Sequence, residues 1–292
     1  MKPAPFKYVA AESLEAAMAV KAEHGDEARF LAGGQSLIPA MNFRLAQPGV
    51  LIDINPLQDL DYVRATGDGG LAVGALTRNR TLEQSALVAQ RQPLVHEAVP
   101  HVAHPQIRNR GTLGGNLAHA DPASELPAVM LALGARMHVR AARGERWIEA
   151  REFFLSVFAT ALRSDEMLLA VTMPELPPRT GTCFMEVARR RGDFALIGVA
   201  AAITLGADGV CTGARLAYCN AGATPMVGTL ASQALIGRRI GEGELTDAAA
   251  QAQRDIDPAG NVHASKAFQR HLAGVLTRRA VRTALARAES QG

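Results

Sequence analysis

Hydrophobic and polar positions in the first 57 residues follow two periods. Leu14, Ala17, Met18 and Lys21 recur at the spacing of one helical face, with Lys21 able to bury its stem and extend its tip to water. Ser13 stands where an N-cap belongs, and Gly25 where such a helix stops. Arg29-Phe30-Leu31-Ala32 is a short strand that runs into Gly33-Gly34, and Val50–Ile54 is another, stopped by Asn55-Pro56. The predicted order is strand, helix, strand, loop, helix, strand.

Beyond residue 57 the pattern predicts a hairpin of 62–66 and 71–74 about Gly67-Asp68-Gly69-Gly70, then helices near 81–89 and 93–102. A long glycine-containing loop over 104–120, a helix near 123–133 and a second hairpin at 137–140 and 145–148 follow. Met173–Pro178 holds three prolines in five residues, which neither a helix nor a central strand continues. After it come strand-like runs at 182–190, 196–206 and 210–219, a turn at 220–225, and helices at 226–236, 244–253 and 263–289. The last helix carries an amphipathic stripe of Leu272, Val275, Leu276, Ala280, Val281, Ala284 and Leu285. These runs divide the chain into regions 1–57, 58–175 and 179–289, an α+β arrangement.

A hydrophobic fraction of 48% and a charged fraction of 20% are those of a soluble globular protein, with room in 292 residues for a sizeable core. The net charge of +3 comes from scattered basic residues without interleaved aromatics, which argues against a nucleic-acid face. Three cysteines, Cys183, Cys211 and Cys219, form no CxxC pair. They are too few for a disulfide framework or a Cys-ligated iron–sulfur cluster, and read as buried hydrophobes in a reducing compartment. Met1–Phe6 lacks an apolar signal core, and the run 196–207 is too short to cross a bilayer, so a cytoplasmic location is expected.

Two loops carry candidate chemistry. In Ala32-Gly33-Gly34-Gln35-Ser36-Leu37, paired glycines admit a close backbone approach to a ligand, Ser36 adds a hydroxyl, and a helix start lies behind. Arg110-Gly111-Thr112-Leu113-Gly114-Gly115-Asn116 repeats the arrangement, with Thr112 and Asn116 as donors. Each alone reads more readily as a tight structural turn; together they can clasp one diphosphate from two sides. Neither fits GxGxxG after a first strand or GxxxxGK[ST], so Rossmann and Walker sites are not expected. His101, His104 and His119 match no usual zinc spacing and read as loop hydrogen-bonding groups, so no metal ligand is assigned. Asp121 and Glu125 also read as helix caps, Phe194 as a core aromatic, Arg108 and Arg110 as ion-pair formers, and Arg189–Arg191 as either a solvated edge or a contact for an acidic partner.

The segments 32–39 (AGGQSLIP), 107–122 (IRNRGTLGGNLAHADP) and 270–280 (RHLAGVLTRRA) resemble the FAD-binding medium subunits of molybdenum hydroxylases of the carbon monoxide dehydrogenase and xanthine dehydrogenase type. The resemblance implies a two-lobed FAD-binding fold of the vanillyl-alcohol-oxidase (PCMH) type, followed by a C-terminal α/β domain whose sheet packs against helices. It implies that Ala32, Gly33, Gly34, Gln35, Ser36 and Leu37, with Thr112, Gly114, Gly115 and Asn116, hold the FAD diphosphate. Asp121 and Glu125 fall at positions of polar contact to FAD, Leu168 or Leu169 at a position near the flavin, and Phe194 at that of an aromatic covering the ring. Some relatives have His in place of Gln35 and Tyr in place of Phe194.

The resemblance further implies an electron-transfer subunit. Hydroxylation would occur at molybdopterin on a large partner, and [2Fe-2S] clusters on a small partner would pass electrons to FAD here and on to an external acceptor. No catalytic acid or base is assigned on this chain. Two alternatives stay open: a free-standing FAD-dependent oxidoreductase of the same fold, and a non-catalytic assembly subunit.

Overall fold

The computed structural model describes residues 2–291. The first region builds a small parallel sheet. Strand β1 (Lys7–Ala10) leads into α1 (Leu14–His24), β2 (Ala28–Leu31), α2 (Leu37–Asn42) and β3 (Val50–Asp53), with strand order β1-β3-β2. Ser13 caps α1 by accepting from the Ala16 amide at 3.0 Å, and Gly25 at φ +50° ends it. Lys21 departs from the expected snorkel. Its ammonium is buried, donating to the carbonyls of Gly25 (2.8 Å) and Ala28 (2.7 Å), which the turn between α1 and β2 brings closer to it than water.

The second region is larger. Strands β4 (Val63–Ala65) and β5 (Leu71–Gly74) form the expected hairpin. Three short helices follow, α3 (Asn79–Gln84), α4 (Ala86–Arg91) and α5 (Pro93–Ala98), where two were expected. The break at Ser85 has a local cause: its backbone is extended and its hydroxyl caps α4 through the Val88 amide. The stretch 104–120 is not a loop. It folds into α6 (Pro105–Arg108), with proline at the first helical position, and α7 (Leu113–His119), capped by Thr112. Glycines 114 and 115 lie inside α7 against their helix propensity; Gly114 must approach the backbone of Ala75, and Gly115 lies against the Thr112 hydroxyl.

Helix α8 (Glu125–Leu133) is apolar on nearly every side and buried at every residue but Leu131, ending at Gly134 with φ +65°. Burial of each of its large side chains, Leu126, Val129, Met130 and Leu133, contributes about 1.5–3 kcal/mol. Then come β6 (Arg136–Ala141), β7 (Gly144–Glu149), α9 (Ala150–Phe153), β8 (Phe154–Ser156), β9 (Ala159–Thr160) and β10 (Met167–Met173). The five-stranded sheet runs β4-β5-β10-β6-β7.

The third region is an antiparallel sheet of β11 (Thr180–Ala188), β12 (Ala195–Leu205), β13 (Cys211–Cys219) and β14 (Met226–Val227). Helices α10 (Thr229–Gln233), α11 (Glu242–Asp255) and α12 (Lys266–Glu289) follow. The helix expected at 226–236 shrinks to α10 because Met226 and Val227 pair with Tyr218 and Ala217 as a strand. Strand β12, the longest apolar run, is buried on both faces. One face packs with α11 and α12; the other, through Ala195 and Ala200 with Phe184, Ala217 and Cys219 of its neighbours, joins the core under α8. Glu97 of α5 fastens this junction, accepting from the Phe184 amide at 3.1 Å and from Arg287 of α12 at 2.8 and 3.1 Å. No helix among the described residues is long and apolar enough to cross a membrane.

Candidate functional site

A cleft of about 750 Å³ opens where the three regions meet, and both glycine segments line it. In the first, Gly34 takes φ +71°, which leaves the chain turned so that Gly33–Leu37 follow the cleft wall. The amides of Gly33, Gly34, Gln35, Ser36 and Leu37 have no hydrogen-bond acceptor among the described residues. Helix α2 behind them is only six residues long, so the free N–H groups, more than a helix dipole, define the donor character of this wall.

The second segment is built differently. The amide of Leu113 donates to Thr77 O (3.0 Å), Gly114 to Ala75 O (2.9 Å), Gly115 to Thr112 Oγ1 (3.1 Å) and Asn116 to Thr112 O (3.0 Å). What faces the cleft is therefore side-chain chemistry: the Thr112 hydroxyl, Asn116 and Ser124, the last donating to Asn116 Oδ1 at 2.9 Å. The glycines serve the protein's own packing first. A Cβ on Gly33 would run into the carbonyl of Arg110, so this glycine brings the two segments together. A Cβ on Gly114 would lie 2.7 Å from Ala75 O. At Gly115 the nearest atoms are Thr112 Oγ1 at 2.8 Å and Ala32 Cβ at 3.9 Å; this is the glycine whose missing side chain leaves room on the cleft.

Of the residues singled out in the sequence, Ala32–Leu37, Thr112, Gly114, Gly115, Asn116, Glu125, Leu168 and Phe194 all line the cleft. Asp121 and Leu169 do not. Asp121 Oδ1 accepts from the Ala123 amide at 2.9 Å, the cap-like role, and Leu169 is buried in the core beneath β1–β3. Phe194 is 65% exposed at the rim, contrary to its reading as a core aromatic. Arg108 is buried and paired with Glu83. The three histidines do not converge, and no group of metal-ligating side chains occurs among the described residues.

Other residues reach the cleft unannounced. Phe158, at φ +55°, lies 4.9 Å from the His119 ring between centroids, and burial holds His119 below the usual imidazole range. Glu166 is buried and paired with Arg146 at 2.7 and 2.8 Å, which holds its carboxyl below the ordinary range. No periodicity marks either, because the β8–β9 turn that places Phe158 depends on tertiary contact with Ala120 (3.2 Å). Glu125, almost wholly buried, is pushed up to about 8 by its burial and by the nearby Glu186. The donor set suits a nucleotide diphosphate. Five amides and flanking hydroxyls can receive its oxygens, and Lys21 is already committed to backbone carbonyls.

Comparison with known proteins agrees. Residues 4–176 match the family described as FAD binding domain in molybdopterin dehydrogenase, and residues 182–284 the CO dehydrogenase flavoprotein C-terminal domain. The chain is 40% identical to the 6-hydroxypseudooxynicotine dehydrogenase complex subunit alpha of Paenarthrobacter nicotinovorans, over 99% of this chain and 97% of that protein. It is 42% identical to the caffeine dehydrogenase subunit beta of Pseudomonas sp. (strain CBB1), over 96% and 95%. Among solved structures, carbon monoxide dehydrogenase from Hydrogenophaga pseudoflava superposes with a TM-score of 0.95 at 34% identity, covering 98% of this chain and 99% of that one. The chain belongs to the FAD-binding subunits of the molybdenum hydroxylase family, flavoproteins that are parts of multi-subunit oxidoreductases.

Proposed function

We propose that this chain carries electrons within such a complex. It would receive them from iron–sulfur clusters on a small partner subunit and pass them to an external acceptor, while a large molybdopterin-binding partner oxidises the substrate. One observation carries the assignment of the site: the five unpartnered amides of Gly33–Leu37 face Thr112 and Asn116 across one cleft. The FAD diphosphate would lie on those amides, with Thr112 and Asn116 contributing from the other wall. Leu168 and Phe194 would border the flavin ring; Asp121 and Leu169 would act indirectly. FAD, when bound, can accept single electrons and release a pair.

The three regions 1–57, 58–175 and 179–289 would then act as two cofactor-binding lobes and a third unit that closes the cleft. A reducing, cytoplasmic setting fits three free, buried cysteines. The test is purification of the chain with its genomic neighbours. The expected result is a yellow subunit that releases FAD on denaturation and elutes with a large and an iron–sulfur partner. A colourless chain, or one that elutes alone and reduces an acceptor unaided, overturns this reading.

A further inference from the structure

Behind the cleft residue Glu125 lies a row of titratable side chains, on the face of the β11–β13 sheet that packs under α8. Glu186 on β11 is in register with Gly198 on β12, and Gly198 with Cys219 on β13, so all three lie in one row on one face of the sheet. That face packs under α8, whose first residue is Glu125. The absence of a side chain at Gly198 lets the row close up: a Cβ there would stand 2.6 Å from Cys219 Sγ and 3.2 Å from the Glu186 Cβ.

The Glu186 side chain is 5% exposed. Its Oε1 is 3.2 Å from His101 Nδ1, and its Oε2 is buried with no partner. The His101 side chain is 37% exposed and so reaches solvent. Glu125 itself lines the cleft and is 3% exposed.

The charged and titratable groups around Glu125 do not neutralise it. Glu186 and Asp121 both disfavour its ionisation. His119 of α7 is itself held neutral by burial. Glu97 of α5 is committed to Arg287 and the Phe184 amide, and Arg215 of β13 to Leu133 O at the far end of α8. The Cys219 thiol is pushed well above its usual range by burial and by the two carboxyls. A buried carboxyl facing like charge and no cation keeps its proton.

We propose that Glu125 is a proton donor to the cleft, sharing one proton with Glu186 and refilled from solvent through the His101 imidazole. This rests on the cleft holding FAD that accepts electron pairs. For each pair delivered by the partner subunit, the Glu125 O–H bond breaks, the proton passes to the ligand in the cleft and a carboxylate remains. A solvent proton then joins His101 Nε2 while the Nδ1 proton moves to Glu186 and on to Glu125. The three side chains return to their starting charge.

Infrared spectroscopy of the full chain, with and without FAD, tests the shared proton directly. Wild type should show a protonated carboxyl band at neutral pH that disappears with a midpoint near 8. Glu125→Gln should lack the band, and Glu186→Gln should move the midpoint down. In the FAD-loaded protein, reduction by dithionite should slow above that midpoint. Glu125→Gln should lower the rate about 10²-fold and erase the pH break, and His101→Gln should slow later turnovers but not the first. A FAD-loaded chain without the band, or a pH break that survives in Glu125→Gln, overturns the proton donor alone. A chain that shows the band but never takes up FAD overturns the functional reading and leaves the shared proton standing.

Discussion

Between Gly33 and Leu37 five consecutive amides stand without partners, whereas from Leu113 to Asn116 every amide is taken by the protein itself. The two segments look alike as sequence, each with a glycine pair beside hydroxyl and amide side chains. They differ because in the second the Thr112 cap takes the amides of Gly115 and Asn116 and the carbonyls of Thr77 and Ala75 take those of Leu113 and Gly114, whereas no such acceptors meet the first. A glycine pair therefore does not by itself announce a backbone cradle. What decides is whether a cap and neighbouring carbonyls take its amides.

The contrast gives graded predictions. The largest effect is expected at Gly33, where a side chain would collide with the Arg110 carbonyl and force the segments apart. Gly33→Val should destabilise the chain by about 3 kcal/mol or more and leave flavin content near zero, measured by denaturant melting and visible absorbance.

Glu125→Gln comes next, read as stability against pH. The folded chain holds the Glu125 proton up to about 8, whereas the unfolded chain loses it near 4.5. Stability should therefore fall as pH rises through that window, by about 1.4 kcal/mol per unit at most, and level off above it. The glutamine variant should be flatter and relatively more stable at the alkaline end. An unchanged slope would show that the carboxyl ionises normally.

Thr112→Val removes both the α7 cap and a cleft hydroxyl. A loss of about 1 kcal/mol in stability and roughly tenfold in FAD affinity is expected, by melting and fluorescence titration. Gly115→Ala would set a Cβ 2.8 Å from Thr112 Oγ1, so the cap must shift; a stability loss of about 1 kcal/mol and a severalfold weaker FAD binding are expected. Ser36→Ala should have the smallest effect, about twofold or less in affinity, since amides that no substitution removes dominate its wall. If Ser36→Ala weakens binding more than Thr112→Val, the contrast between the two walls is wrong.

Much of this was legible in the sequence. The hairpin 62–74, the proline boundary near 173–178 and the long β12 run show in pattern and turn chemistry alone, because local propensity and burial agree there. Helix α7 was not legible: Gly114 and Gly115 argue against a helix, and the contact with Ala75 that requires Gly114 lies about 40 residues upstream. Lys21 misled for a related reason, since its acceptors, the carbonyls of Gly25 and Ala28, are brought to it by the turn that joins α1 to β2. Glu125 was picked out for its position, but the upward push on its carboxyl could not be, because its burial and the nearby charge of Glu186 arise only after two regions pack. Phe158 carried no signal, being set by a strained turn.

The free amides of Gly33–Leu37 have an implication for how the subunit matures. An empty chain leaves those donors to water, so ligand adds its whole binding free energy to the folded state, about 2.7 kcal/mol at a hundredfold excess over Kd. Loaded chains should thus outlive empty ones under limited proteolysis, and cellular quality control would cull unfilled subunits before assembly. Equal protease half-lives with and without FAD would dismiss that idea.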